Sequence, residues 1–205
     1  TITASGGSKS TRFYFSANYS DNQGIIIASG MKRYQMRLNL DHTFSKYVKG
    51  GLRINYAYLD HEINKADVGT QTLWYRSTIF IAPTIPAYKP DGSFNDWNTQ
   101  WYTGAFFDSP LAVSKLTRKD QVKKTLSPMA FLEVTPIKGL VIRSSASFYD
   151  YNRFDDNFSP STLPTRTDKN TGAYGYKRAY RTNNILNENT ISYNKVFNRK
   201  HTLDA

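Results

Sequence analysis

The chain has 205 residues, a formal charge of 27 − 16 = +11, and an aromatic share of 15 %, which excludes the aromatic-poor composition of a disordered chain. With no Cys, a disulfide scaffold, a Cys-based zinc site and a Cys nucleophile are excluded, and His42, His61 and His201 lie too far apart for an HExxH or His-x-His pattern. No apolar run reaches the ~18 to 20 residues of a membrane helix, so helical spanning is excluded, while spanning by strands stays open.

Helical periodicity is nearly absent, and period-two alternation dominates. Eight strand segments are expected, at roughly 1–5, 11–20, 33–44, 50–59, 125–135, 139–149, 182–195 and 200–205. In the second, Phe13, Phe15, Ala17 and Tyr19 alternate with Tyr14, Ser16, Asn18 and Ser20. The third has Tyr34, Met36, Leu38 and Leu40 on one side and Gln35, Arg37, Asn39 and Asp41 on the other. The fourth sets Leu52, Ile54, Tyr56 and Tyr58 against Arg53, Asn55 and Ala57. The sixth sets Leu140, Ile142, Ala146 and Phe148 against Arg143, Ser145 and Ser147. Successive side chains of a strand point to opposite faces, so each segment has one apolar and one polar surface. The links alternate short and long, with long loops at about 60–124 and 150–181. An antiparallel meander puts alternate links at opposite ends of the sheet, so the long loops gather at one end and the tight turns at the other. Gly6 and Gly7 are expected in a hairpin link that needs positive φ.

Short turns at one end, long loops at the other, strands near ~10 residues and aromatics near strand ends are features of an outer-membrane barrel. A soluble, secreted β-sandwich that binds carbohydrate is the alternative, since it also alternates. A loop of ~60 residues is unusual in a compact soluble domain and weighs against it. A complete small barrel serving adhesion is a third reading. The chain starts without Met and ends inside a strand-like segment, so it reads as a piece of a longer protein. The expected fold is all-β, an antiparallel meander forming about eight strands of a larger transmembrane barrel.

Several runs resemble the SusC/RagA-like TonB-dependent transporters. Tyr19-Ser20-Asp21-Asn22-Gln23-Gly24-Ile25-Ile26 is similar to a loop of that family, and Arg33-Tyr34 through Arg37, Asn39, Leu40 and Asp41 to the strand that follows it. Tyr88-Lys89-Pro90-Asp91-Gly92-Ser93-Phe94 resembles its Pro-Asp-Gly-Ser loop, and Ser109-Pro110-Leu111-Ala112 its Asn-Pro-Leu-Ala, with Ser for Asn. Pro136-Ile137-Lys138-Gly139-Leu140, and the run from Tyr193-Asn194-Lys195 to His201-Thr202-Leu203, complete six matches in one order. The resemblance implies a Bacteroidetes-type outer-membrane transporter with an N-terminal plug, absent from this chain, and a 22-stranded barrel. It implies a SusD-like surface lipoprotein as lid and energy from the TonB-ExbB-ExbD complex through parts outside this chain. The cargo it implies is an oligosaccharide or, in some members, a peptide.

The long loop holds all three Trp. Trp74, Tyr75, Trp97, Trp101 and Tyr102, with Asp91 and Asn98 interleaved, are the candidate ligand-binding set. Aromatic faces stack on sugar C–H faces, and amides and carboxylates serve hydroxyls. The same aromatics could instead pack the loop on itself or against the lid. Arg37, Asn39, Asp41, Arg53 and Asn55 are expected to face a hydrated lumen. Asp155-Asp156-Asn157 lacks the EF-hand order and reads as a solvated polar loop. Lys and Arg are scattered and no RNP-like motif occurs, so nucleic acid is not an expected partner. The basic residues are expected to meet lipopolysaccharide phosphates, line the lumen or solvate loops. No nucleophile elbow or phosphate loop is present, and neither enzymatic activity, a metal nor a cofactor is expected.

Overall fold

The computed structural model describes residues 1–63, 83–95, 109–163, 172–197 and 201–204. Eight strands form one antiparallel sheet in chain order. They are β1 (Ile2–Gly7), β2 (Thr11–Gln23), β3 (Gly30–Ser45), β4 (Val48–Glu62), β5 (Arg118–Val134), β6 (Leu140–Ser159), β7 (Tyr174–Phe197) and β8 (His201–Asp204). A short helix, α1 (Pro110–Leu116), precedes β5. The sandwich alternative is thereby set aside: the described strands make one sheet, with no second sheet packed on it.

The register turns the alternation of single strands into two continuous surfaces. Phe13, Leu40, Leu52, Ala130 and Ala146 lie opposite one another across five strands, and Phe15, Leu38, Ile54 and Pro128 form the next row. Cross-strand partners share a face, so these rows build one apolar side. Pointing the other way, Tyr14, Asn39, Arg53, Met129 and Ser147 run between these two rows, and Ser16, Arg37, Asn55 and Ser127 run just beyond the second.

No described residue forms a second layer over the apolar side. Among the described residues the buried hydrophobic side chains are Ala112 and Val113, both in α1. Met36 is 50 % exposed, Phe44 64 % and Ile185 82 %. On the loop side the apolar rows end in tyrosine: the rings of Tyr19 and Tyr34 lie 4.9 Å apart and those of Tyr34 and Tyr58 5.9 Å apart. From Tyr34 to Phe44 the apolar face of β3 runs ~33 Å at ~3.3 Å per residue. Inclined by about 40° as barrel strands are, this is ~25 Å of height, that of a barrel's lipid-facing band.

The upper limit of the apolar rows runs obliquely across the strands. Tyr19, Tyr34 and Tyr58 share a row; Leu126 lies one row nearer the turns, level with Asp150; Phe148 pairs with Ile185 one row nearer again. That stagger is what tilted strands need in order to close into a barrel.

Three expectations change. First, the 150–181 link is mostly strand, because β6 is 20 residues long and β7 24, leaving 160–173 between them. Second, Asp155, Asp156 and Asn157 therefore belong to β6. Third, Gly6 and Gly7 are strand residues without positive φ. Gly6 lies against the Phe13 ring, and a Cβ at Gly7 would meet the Thr11 carbonyl. Close approach, not turn conformation, explains the pair.

The glycine that does need a left-handed backbone is Gly139, with φ +92°. It closes the 135–139 turn, where Leu140 N donates to Ile137 O (3.1 Å), and its own carbonyl accepts from Asn194 N of β7 (2.8 Å). Any Cβ there would run into the Asn194 carbonyl oxygen. Gly139→Val therefore combines a backbone cost of about 1–2 kcal/mol with a clash against the neighbouring strand. Thermal denaturation of the full-length protein is expected to shift to lower temperature, whereas Lys138→Ala in the same turn leaves it unchanged.

Candidate functional site: the polar face and the loop end

The turn half of the polar face is a network of hydrogen bonds, an ion pair and cation–ring contacts. Arg37 Nε donates to Asn55 Oδ1 (3.0 Å), and Arg53 donates to Asp41 Oδ1 (2.5 Å) and the Leu40 carbonyl (2.9 Å). The guanidinium of Arg143 lies 4.3 Å from the Phe131 ring centroid, and that of Arg53 lies 5.6 Å from it. Gly51 makes room for that ring: a Cβ there would collide with Phe131 and with the Asp41 carboxylate. Arg37, Asn39, Arg53 and Asn55, with Ser127 and Glu188, line a hollow of about 490 Å³. Four of the five residues expected on the polar face thus line one concavity, and Asp41 is held beside it by Arg53.

Toward the loops the same face carries a second cluster, built around Asp155 and Asn157 of the run that the sequence presents as a solvated loop. Asp155 accepts from Gln121 Nε2 (2.9 Å) and from Arg153 Nε and a terminal guanidinium nitrogen (both 2.8 Å). Asn157 Nδ2 donates to the Tyr176 hydroxyl (3.2 Å), while its Oδ1 is buried without a partner. Asp156, one residue from each, points to the other side and pairs with Arg118 (3.0 Å) and Lys177 (3.5 Å). A run read as one polar loop is in fact a strand with functions split between its faces.

The loop between β4 and β5 contains a small ordered unit. The Ser109 hydroxyl accepts from Ala112 N (3.3 Å), Pro110 opens α1, and Thr117 closes it by donating its N–H and Oγ1 to the Val113 carbonyl (3.1 and 2.6 Å). The Ser-Pro-Leu-Ala run is therefore a helix start; Ser and Asn are both good N-caps, and Pro suits the first helical position. Lys89-Pro90-Asp91-Gly92 is a tight turn closed by Gly92 N donating to Lys89 O (2.9 Å). Gly92 has φ +83°. The Tyr88 and Phe94 rings stack across this turn at 5.4 Å. Lys115 of α1 reaches the Tyr88 hydroxyl (3.2 Å). Asp91 accepts from the Ser93 N–H (2.9 Å) and hydroxyl (2.7 Å), and these bonds hold its carboxyl below the usual carboxylate range. Asp91, expected to bind ligand, thus has a local role in its own turn. Trp74, Tyr75, Trp97, Asn98, Trp101 and Tyr102 lie outside the described residues.

The Gly51 notch gives a prediction. Gly51→Leu displaces Phe131 and forces Asp41 away from Arg53, and is expected to cost about 1–3 kcal/mol, as overpacking does. It should lower the thermal midpoint of the full-length protein, and Gly51→Leu combined with Phe131→Ala should recover part of the loss.

No family model matches the chain. It is 28 % identical over 204 residues to TonB-dependent receptor P26 of Formosa agariphila, covering 100 % of this chain and 20 % of that protein. To TonB-dependent receptor P39 of the same organism it is 27 % identical, covering 98 % of this chain and 18 % of the relative. The chain thus spans about a fifth of the length of the curated relatives it matches. Its fold is similar to that of the RagAB peptide transporter (TM-score 0.76) and of the RagAB peptide importer in its closed-closed state (TM-score 0.75). Each of these two is 22 % identical, covering 98 % of this chain and 22 % of the matched one. The chain is thus similar along nearly its whole length, in sequence to part of TonB-dependent receptors and in fold to part of the RagAB transporter.

Proposed function

We propose that the chain is part of the wall of a 22-stranded outer-membrane barrel, within a TonB-dependent transporter that imports nutrient oligosaccharides, or peptides, with a SusD-like lipoprotein. The observation that carries this reading is the single-layered sheet, with an exposed apolar face ending in a row of tyrosines and a hydrogen-bonded polar face behind it. Lipid is the partner that an apolar face of ~25 Å height fits. Closure by further strands is what the unpaired backbone of β1 and of most of β7 needs, because bare edges are not tolerated in lipid. The polar face then becomes the lumen wall, with Arg37, Asn39, Asp41, Arg53 and Asn55 holding water beside the passing ligand. The tight turns lie on the periplasmic side. The loop end, with the aromatics of 60–124, faces outward to meet ligand, lid and lipopolysaccharide. Energy coupling belongs to parts of the parent protein outside this chain. The relatives are named as receptors and importers, and we assign this chain no catalysis.

The absence of Cys makes the test direct. Single cysteines replace Leu38 and Ile54 on one face and Asn39 and Asn55 on the other, in the full-length protein in its native membrane. A charged, water-soluble maleimide is expected to label Asn39→Cys and Asn55→Cys and to leave Leu38→Cys and Ile54→Cys unreacted until detergent is added. Equal labelling of all four in a detergent-free soluble fraction overturns the membrane reading. A reversed pattern overturns the assignment of the lumen.

The partner reading predicts that a SusD-like lipoprotein co-purifies with the detergent-extracted transporter. Deletion of residues 86–116, which carry the turn and α1, is expected to reduce that recovery or the ligand uptake severalfold while the barrel still assembles.

A further inference from the structure

We propose that the lumen wall near the loop end is a selectivity belt for an anionic oligosaccharide, one that carries sulfate or carboxylate groups, and that Lys119 and Lys123 are its main determinants. This rests on reading the polar face as the lumen. One register row on that face runs Ser20, Arg33, Leu59, Lys123, Arg153, Tyr180 across six strands. The next row carries His61, Gln121, Asp155 and Arg178, and the one after it Lys119, Asn157 and Tyr176. Arg33, Lys119, Lys123, Arg153 and Arg178 thus share a patch with one carboxylate, that of Asp155, which is bonded to Arg153 and Gln121.

Among the described residues, Arg33, Lys119, Lys123 and Arg178 have no carboxylate within ion-pair distance. Lys119 and Lys123 are also half-buried. An ammonium that has lost part of its water and has no counter-ion is unfavourable, and an incoming anion relieves it. The turn half of the same face is different: Asp41 holds Arg53, and Lys49 lies 3.8 Å from Glu133. The excess of cations is therefore steepest at the mouth, five to one carboxylate, against five (Arg12, Arg37, Lys49, Arg53 and Arg143) to three (Asp41, Glu133 and Glu188) near the turns.

Two features favour a sugar over an acidic peptide. Gln121 and Asn157 are each 7 % exposed, and Asn157 Oδ1, in register with Lys119, lacks a hydrogen-bond partner that a ligand hydroxyl can supply. Tyr176 and Tyr180 stand on the same face, beside Arg178 (4.1 Å to the Tyr176 ring) and Arg153 (5.2 Å to the Tyr180 ring). Lys123 and Arg153 are on adjacent strands and Arg33 two strands from Lys123, so the backbone positions are ~5 and ~10 Å apart. An oligosaccharide with a charge on successive or alternate sugars can meet such a ladder.

The test uses the full-length transporter in detergent and calorimetric titration with three probes. These are a pool of sulfated and uronic-acid oligosaccharides, the same pool after desulfation and carboxyl reduction, and oligoglutamate peptides. The charged pool is expected to bind at least about tenfold more tightly than the neutralised one, a difference that is suppressed by salt. Lys119→Gln with Lys123→Gln should remove that preference. Lys124→Gln makes the same charge change on the opposite face and should keep it. Equal binding of both pools, preference for oligoglutamate, no binding of any probe, or an unaffected double variant each overturns the proposal. None of these outcomes alters the cysteine-labelling pattern, which judges the transport reading separately.

Discussion

A β-sheet one layer thick, apolar on one side, is stable only where something other than its own chain covers that side. Domains ordinarily bury such a face against a second layer. Here no described residue forms such a layer over the exposed Met36, Phe44, Ile185 and Ile191, and the buried apolar residues of the described structure sit in a seven-residue helix at the loop end. The rest of the architecture answers to that constraint. The apolar side must be continuous, so register is held without interruption along rows such as Phe15, Leu38, Ile54 and Pro128. A slip of one residue would exchange the faces. The polar side then has to satisfy its own groups, and it does so laterally, through pairs such as Arg37 with Asn55 and Arg53 with Asp41.

The two ends of the sheet solve different problems. At the turn end, strands are tied close together: Thr135 N donates to Tyr47 O across neighbouring turns, and Gly139 lets the backbone of one turn touch β7. At the loop end the strands run past the tyrosine row, and charged residues enter the outward face beside Val122, Phe154 and Phe158. The outward side then forms a lattice of ion pairs, with Arg118 on Asp156 and Asp120, Lys177 on Asp156, and Arg181 on Asp150. Such pairs keep an exposed wall ordered in water without contributing much individually.

Legibility in the sequence follows the same division. β2, β3 and β4 could be read because apolar and polar residues alternate wherever one face is apolar and the other wet. The upper parts of β6 and β7 could not, because above the tyrosine row the alternation has no physical cause: Asp155 and Asp156 are both wetted and point opposite ways. The result looks like a polar loop. α1 is too short for helical periodicity, and its legible signal was the cap, Ser109 before Pro110. Gly6 and Gly7 misled because a glycine pair fits a turn as well as a strand that packs tightly against Phe13 and Thr11. The five residues assigned to the polar face were placed by parity alone, and the structure gathers four of them around one hollow. Of the loop candidates, Asp91 is the one the structure describes, and its bonds go to Ser93.

Net charge is the least legible quantity of all, since +11 is a sum over both faces and both ends. Register resolves it. On the outward face above the tyrosines, cations and carboxylates meet in pairs. On the polar face near the turns, Arg53 and Lys49 pair with Asp41 and Glu133. On the polar face near the loops five cations share one carboxylate, Asp155, and two of them, Lys119 and Lys123, are half-buried. A wall that only needed solubility would place its surplus charge where water is most abundant, on exposed loops and the outward surface. Surplus placed on a concave, partly dehydrated face acts over a longer range, because low-dielectric walls focus the field into the space they enclose. The position of the charge, rather than its amount, is therefore what distinguishes this part of the polar face.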